Sequence, residues 1–156
     1  MCKSLMSTEK EREINKNTLL PFIKEVVGNN LAAQEYLYSL AKAMRIIDDI
    51  YDQDYPVSKN QLIETIKTFI LTIPMNSFYR ENQDLLLSQH ITMWNTWRIS
   101  NVLDSQGDAL DKIYAHVLRD YCYEIFVLVA LITQGEEHMI KINKKIRNVI
   151  KKEIGK

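Results

Sequence analysis

Glycine and proline are nearly missing from this chain, at four and three residues in 156. Sandwiches and barrels need many turn residues, so that shortage excludes them and favours long, uninterrupted helices. Cysteine occurs only twice, as Cys2 in a charged N-terminal stretch and Cys122 in an apolar one. Two cysteines so differently placed predict free thiols in a reducing compartment, not a disulfide framework. Net charge is absent as well, because 20 basic residues balance 20 acidic ones. No whole-molecule field then draws the chain to nucleic acid or to an anionic membrane. The longest apolar run, Ile125 to Ile132, is far short of the ~20 residues that span a bilayer. No signal-peptide core follows Met1, so the expectation is a cytoplasmic protein without a transmembrane segment. Gly-rich phosphate loops, nucleophile elbows, CxxC pairs and zinc spacings are also lacking.

Apolar residues make up 46% of the chain, and a chain of this length folds as one domain. Their spacing predicts an all-α, single-domain bundle of five to six helices spanning 16–156, after a frayed charged arm over 1–15. Asn17 caps a first helix from Thr18 to Val27, which Gly28 stops. Asn30 caps a second helix to about Gln53, with the stripe Ala33, Leu37, Leu40, Met44, Ile47 and Tyr51. Ser58 to Gln61 reads as a capping box for a third helix that runs through Ile63, Ile66, Phe69, Ile70 and Ile73 to Pro74. The fourth begins at Ser77 or Gln83, with a kink or short first piece near Tyr79, and ends before Gly107. The fifth, from Asp108 to Gln134, is apolar all round at Ile125 to Ile132 and is placed at the centre. The sixth starts at Glu136 and Glu137, favourable at a positive helix end.

The stretch Asp48-Asp49-Ile50-Tyr51-Asp52 carries the most chemical information. Carboxylates at a helix C-terminus each lose roughly 0.3–1 kcal/mol to the macrodipole. Asp48 and Asp52, at i and i+4, repel each other as well, and Asp54 follows. A positive counterpart is required, and a divalent cation such as Mg²⁺ or Mn²⁺ held by Asp48, Asp49 and Asp52 is one candidate. Arg45, one turn earlier, and Arg98, across the bundle, are others, and solvent is the third.

Further polar positions interrupt apolar seams. On the fourth helix, Leu87, Ile91 and Trp94 give way to Arg98, Asn101 and Ser105, which predicts a polar pocket or the edge of the seam. Arg98 and Asn101 are candidate ligand-binding residues there, with Arg98 able to clamp an anion or close on the Asp48 group. Trp94 and Trp97 read as core. Glu124, directly before the wholly apolar run, needs a partner and joins them as a ligand-binding candidate. His90 reads as a satisfied core histidine, His116 and Asp120 as a solvated edge, and Asp108 and Asp111 as caps. The last helix surrounds its isoleucines with Lys141, Lys144, Lys145, Arg147, Lys151, Lys152 and Lys156. Packing with lysines in water is its expected use, and contact with nucleic acid, a membrane surface or a partner helix the alternative.

The segment from Asp48 to Asp52 resembles the DDxxD signature of class I terpene and prenyl-diphosphate synthases, a match of about five residues. That resemblance implies Mg²⁺ bound by these aspartates and a diphosphate substrate. The family's second metal motif falls on Asn101 and Ser105, but Ala109 stands where its last ligand belongs. Ile47 to Asp54, Asn76 to Tyr79, Trp94 to Asn101 and Val117 to Asp120 together resemble uncharacterised small helical proteins of tailed bacteriophages. This implies a phage or prophage origin, a place in the host cytoplasm, and no particular reaction. Two functions are therefore expected: a helical bundle acting by binding or assembly, as a homo-oligomer or with a protein partner, with an acidic site able to take a cation; or a Mg²⁺-dependent enzyme cleaving a diphosphate or phosphoester.

Overall fold

The computed structural model describes the backbone of residues 9–154 and the side chains of residues 18–151. Among the described residues every regular element is helical, and the chain forms an all-α bundle. Helix α1 (Glu9–Val27) packs on α2 (Leu31–Asp52) and α8 (Glu124–Gln134). It begins at Glu9, well before Thr18, and residues 1–8 of the expected arm lie outside the described residues. Gly28 stops it in the left-handed region at φ 60°, a conformation that a side chain disfavours.

Asn30 caps α2 as its spacing predicts, its Oδ1 accepting from the Ala33 backbone N–H at 3.0 Å. Ala33, Leu37, Leu40 and Met44 are buried on its inner face. Ser58 and Gln61 form the predicted capping box on α3 (Lys59–Lys67). The third helix then departs from expectation. A widened π turn over Thr68–Thr72 separates α3 from the short α4 (Ile73–Met75). Proline lacks an N–H and its ring excludes the carbonyl four residues back, so the turn before Pro74 opens to an i to i−5 bond, Ile73 N–H to Thr68 O.

The kink predicted near Tyr79 is present as α5 (Ser77–Glu81), which leads into α6 (Gln83–Gln106). Asp108 and Asp111 form a capping box on α7 (Ala109–Arg119), which folds back on α6. A single helix was expected from there to Gln134. Instead a tightened 3₁₀ turn, Asp120–Tyr123, separates α7 from α8. Cys122 sits in that turn and is disulfide-bonded, so it is not the free thiol its isolation suggested.

Helix α8 buries Ile125, Phe126, Val127, Val129 and Ala130, as expected of a central helix. Helix α9 (Glu136–Ile154) lies against it, burying Ile142, Ile146 and Ile150 and leaving Lys141, Lys144 and Lys145 exposed. Lys145 pairs with Glu25 of α1, and the His138 ring bonds the Glu25 carbonyl oxygen at 2.8 Å. No helix among the described residues is long and apolar enough to cross a membrane.

Candidate functional site

The last turns of α2 turn Asp48 and Asp49 inward, where they are only 3% and 2% exposed. Neither carboxylate is left to the unfavourable helix pole alone. Arg45, itself 10% exposed, places Nη2 at 3.0 Å from Asp49 Oδ1 and Nη1 at 4.0 Å from Asp48 Oδ2. The indole N–H of Trp97 on α6 donates to Asp48 Oδ1 at 3.4 Å. The guanidinium also lies over the Tyr55 ring, 5.8 Å from its centroid. Asp52 ends α2 half-buried and is likewise engaged. Among the described residues, the neighbouring arginine is one counterpart that the fold supplies to this group. Among the described residues no set of three or more His, Cys, Asp and Glu side chains could hold a metal ion.

A groove of about 620 Å³ opens beside Asp49, between α2 and the α3 to π segment. Lys42, Arg45 and Asp49 stand on one wall. Gln61, Thr65, Thr68 and Thr72 stand on the other, at helical spacing along one face. Thr65 and Thr68 send their hydroxyls to backbone carbonyls within the helix, at 2.8 Å each. The Nε and Nη1 atoms of Arg45 are buried without a hydrogen-bond acceptor and are shut away from solvent. A ligand in the groove therefore has no direct access to these two atoms.

The three ligand-binding candidates do not come together on this group. Arg98 is exposed and forms no ion pair among the described residues, so the expected closure on Asp48 is not made. Its neighbour Trp97 takes the inward position on α6. Asn101 is buried and accepts through its backbone oxygen from Ser105 at 2.9 Å. Its Nδ2 has no hydrogen-bond partner. Glu124 has the partner its position demands, Arg147 of α9. His90 bonds the Tyr36 hydroxyl at 2.7 Å and stacks on Tyr36 and Tyr79. Burial holds its pKa below 6.5 and pushes the Tyr36 phenol up. Arg119 binds Asp104 at 2.6 Å, and this hydrogen bond lowers the Asp104 pKa.

Outward-facing apolar surface is the feature the sequence reading missed. On α3, Ile63 and Ile66 face solvent, and Ile70 in the π turn is 64% exposed. The threonine stripe takes the inward side instead. On α6, Leu87, Ile91, Trp94 and Val102 are exposed, while Leu86, Met93 and Trp97 face the core. Trp94 was expected inside. On α7, Leu110, Ile113, Tyr114 and Val117 form a stripe at i, i+3, i+4 and i+7, and all are exposed, as is Tyr121 in the 3₁₀ turn that follows. Only Ala115 of that helix is buried. The apolar run from Ile125 to Ile132 decides the expected placement of the fifth helix, and this stripe is not weighed in it. No protein-family model, curated protein or solved structure matches the chain.

Proposed function

We propose that this protein acts by association, presenting apolar helix faces to a partner, and that the Asp48 group is part of its internal architecture. The supporting observation is the outward stripe on α7, whose Ile113 is 61% exposed. Folded monomers rarely keep contiguous apolar patches larger than a few hundred Å² unless a partner covers them. Arg45 supports the second half of the reading, because it already supplies positive charge to both Asp48 and Asp49.

A second reading, a Mg²⁺-dependent enzyme acting on a diphosphate or phosphoester, draws on one observation, the polar groove beside Asp49 and Lys42. The two separate in a thermal melt with and without Mg²⁺ or Mn²⁺. Association predicts an unchanged Tm, because a folded-state ligand is needed to raise it. A rise with metal that disappears in Asp48→Asn with Asp52→Asn would overturn the association reading and favour the enzyme.

A further inference from the structure

We infer that the groove between α2 and the α3 to π segment binds a small hydroxylated carboxylate of the sugar-acid class, Lys42 holding the carboxylate and the threonine wall taking the hydroxyls. This goes beyond the association reading, since the site needs neither a partner protein nor a metal ion.

The wall that faces α2 is turned against the hydrophobic effect. Ile63, Ile66 and Ile70 stand in solvent, while Gln61, Thr65 and Thr68 line the groove. Burial of apolar area favours the opposite rotation of this segment. Function is expected where a packing preference is given up in this way. The π turn over Thr68–Thr72 belongs to the same wall, and such widened turns recur at functional sites. On the α2 side, Ser39 and Ala43 are small and leave room between the helices. The resulting space of about 620 Å³ lies within the range of ligand-binding clefts.

Charge and hydrogen-bonding capacity select the ligand. Asp49 is held by Arg45, and Glu64 by Lys67 at 3.4 Å. Lys42 forms no ion pair among the described residues, and its Nζ stands 5.5 Å from the centroid of the Tyr38 ring. An ammonium over a ring keeps N–H groups for an acceptor on its other side. With Arg45 Nε and Nη1 shut away, Lys42 is the cation that a ligand in the groove can reach. One such charge matches a single carboxylate better than a doubly charged phosphate. The Thr65 and Thr68 hydroxyls donate to the Gln61 and Glu64 carbonyls, so their oxygens can only accept, and the ligand must donate to them. Lys42 disfavours a ligand ammonium in that role. A row of hydroxyls supplies neutral donors at short spacing instead. Gln61 Oε1 already accepts from the Ser58 backbone N–H at 2.9 Å, which leaves its amide nitrogen as a further donor to the ligand.

The test is amide chemical-shift mapping by NMR on the full chain in metal-free buffer. Gluconate, glucuronate and glycerate are the probes, beside sorbitol, acetate and glycerol phosphate. Saturable shifts at Ser39, Lys42, Thr65 and Thr68 are expected with at least one of the three acids. Sorbitol and acetate each carry half of the recognised chemistry and should bind at least about tenfold more weakly. Lys42→Met keeps the stem against Tyr38 and should weaken binding of the acid about tenfold or more. Thr68→Val keeps the shape and should weaken it about fivefold. Lys144→Met, on α9, should leave it unchanged. Silence towards all three acids at about 10 mM overturns the assignment. So does binding that survives both groove substitutions, or that Lys144→Met weakens equally. Acetate or glycerol phosphate matching the acids overturns the ligand class. Binding that appears only with added Mg²⁺ overturns the inference in favour of the enzyme reading.

Discussion

Replacing Arg45 by methionine removes a positive charge from a site that buries two carboxylates. Asp48 and Asp49 keep their places in α2, at 3% and 2% exposure, and water cannot reach in to solvate them. At an effective dielectric near 20, the 3.0 Å contact to Asp49 contributes about 5 kcal/mol of Coulomb attraction, and the 4.0 Å contact to Asp48 about 4 kcal/mol. Desolvation of the guanidinium offsets much of that gain, and methionine recovers some packing along the same stem. What remains is the cost of breaking a buried pair by removing one partner, about 3–5 kcal/mol. For a chain of this size that lowers Tm by about 10 °C. The assay is urea denaturation at pH 7 of wild type, Arg45→Met, Asp49→Asn and the double variant. The double variant should be more stable than Arg45→Met alone, because it buries one charge fewer. An Arg45→Met protein within about 0.5 kcal/mol of wild type, the range of an ordinary surface substitution, would refute the structural role given to this arginine.

Two further outcomes follow from single positions. His90 has its pKa lowered by burial, so the unfolded chain binds its proton first as pH falls. Stability is then full above 6.5 and declines as pH drops from there towards the folded value. His90→Gln, which can still bond Tyr36, should flatten that part of the curve in denaturant titrations at stepped pH. Gly28→Ala should cost about 2 kcal/mol in the same assay. Its backbone is left-handed, and the new Cβ would stand 2.6 Å from Gln134 Nε2, which bonds the Val27 carbonyl.

The helices were legible because their boundaries are written locally. Asn30, Ser58 with Gln61, and Asp108 with Asp111 each cap a helix through atoms two or three residues away. The partner of Glu124 was demanded by its position, and the nearby partner of Asp49 lies one turn back on the same helix. What spacing did not convey was orientation. A helix with one apolar and one threonine face can pack either way when its neighbour offers charge, and α3 meets Lys42, Arg45 and Asp49. Its threonines settle inward by bonding their own backbone, and its isoleucines are left outside. Arg98 was misjudged for the same reason. It directly follows Trp97 in sequence, and that single step is a rotation of about 100° around α6.

The clasp between α1 and α9 sets the order in which the molecule can be completed during synthesis. Glu25 meets His138 and Lys145, residues 113 and 120 positions further along. Ile23, Val26 and Val27 of α1 are buried in a core that α8 and α9 help to build. A nascent chain halted before Glu136 would still lack α9, leaving its early isoleucines and valines open to chaperones or to neighbouring ribosomes' products. Cooperative closure therefore waits for the α9 segment to emerge.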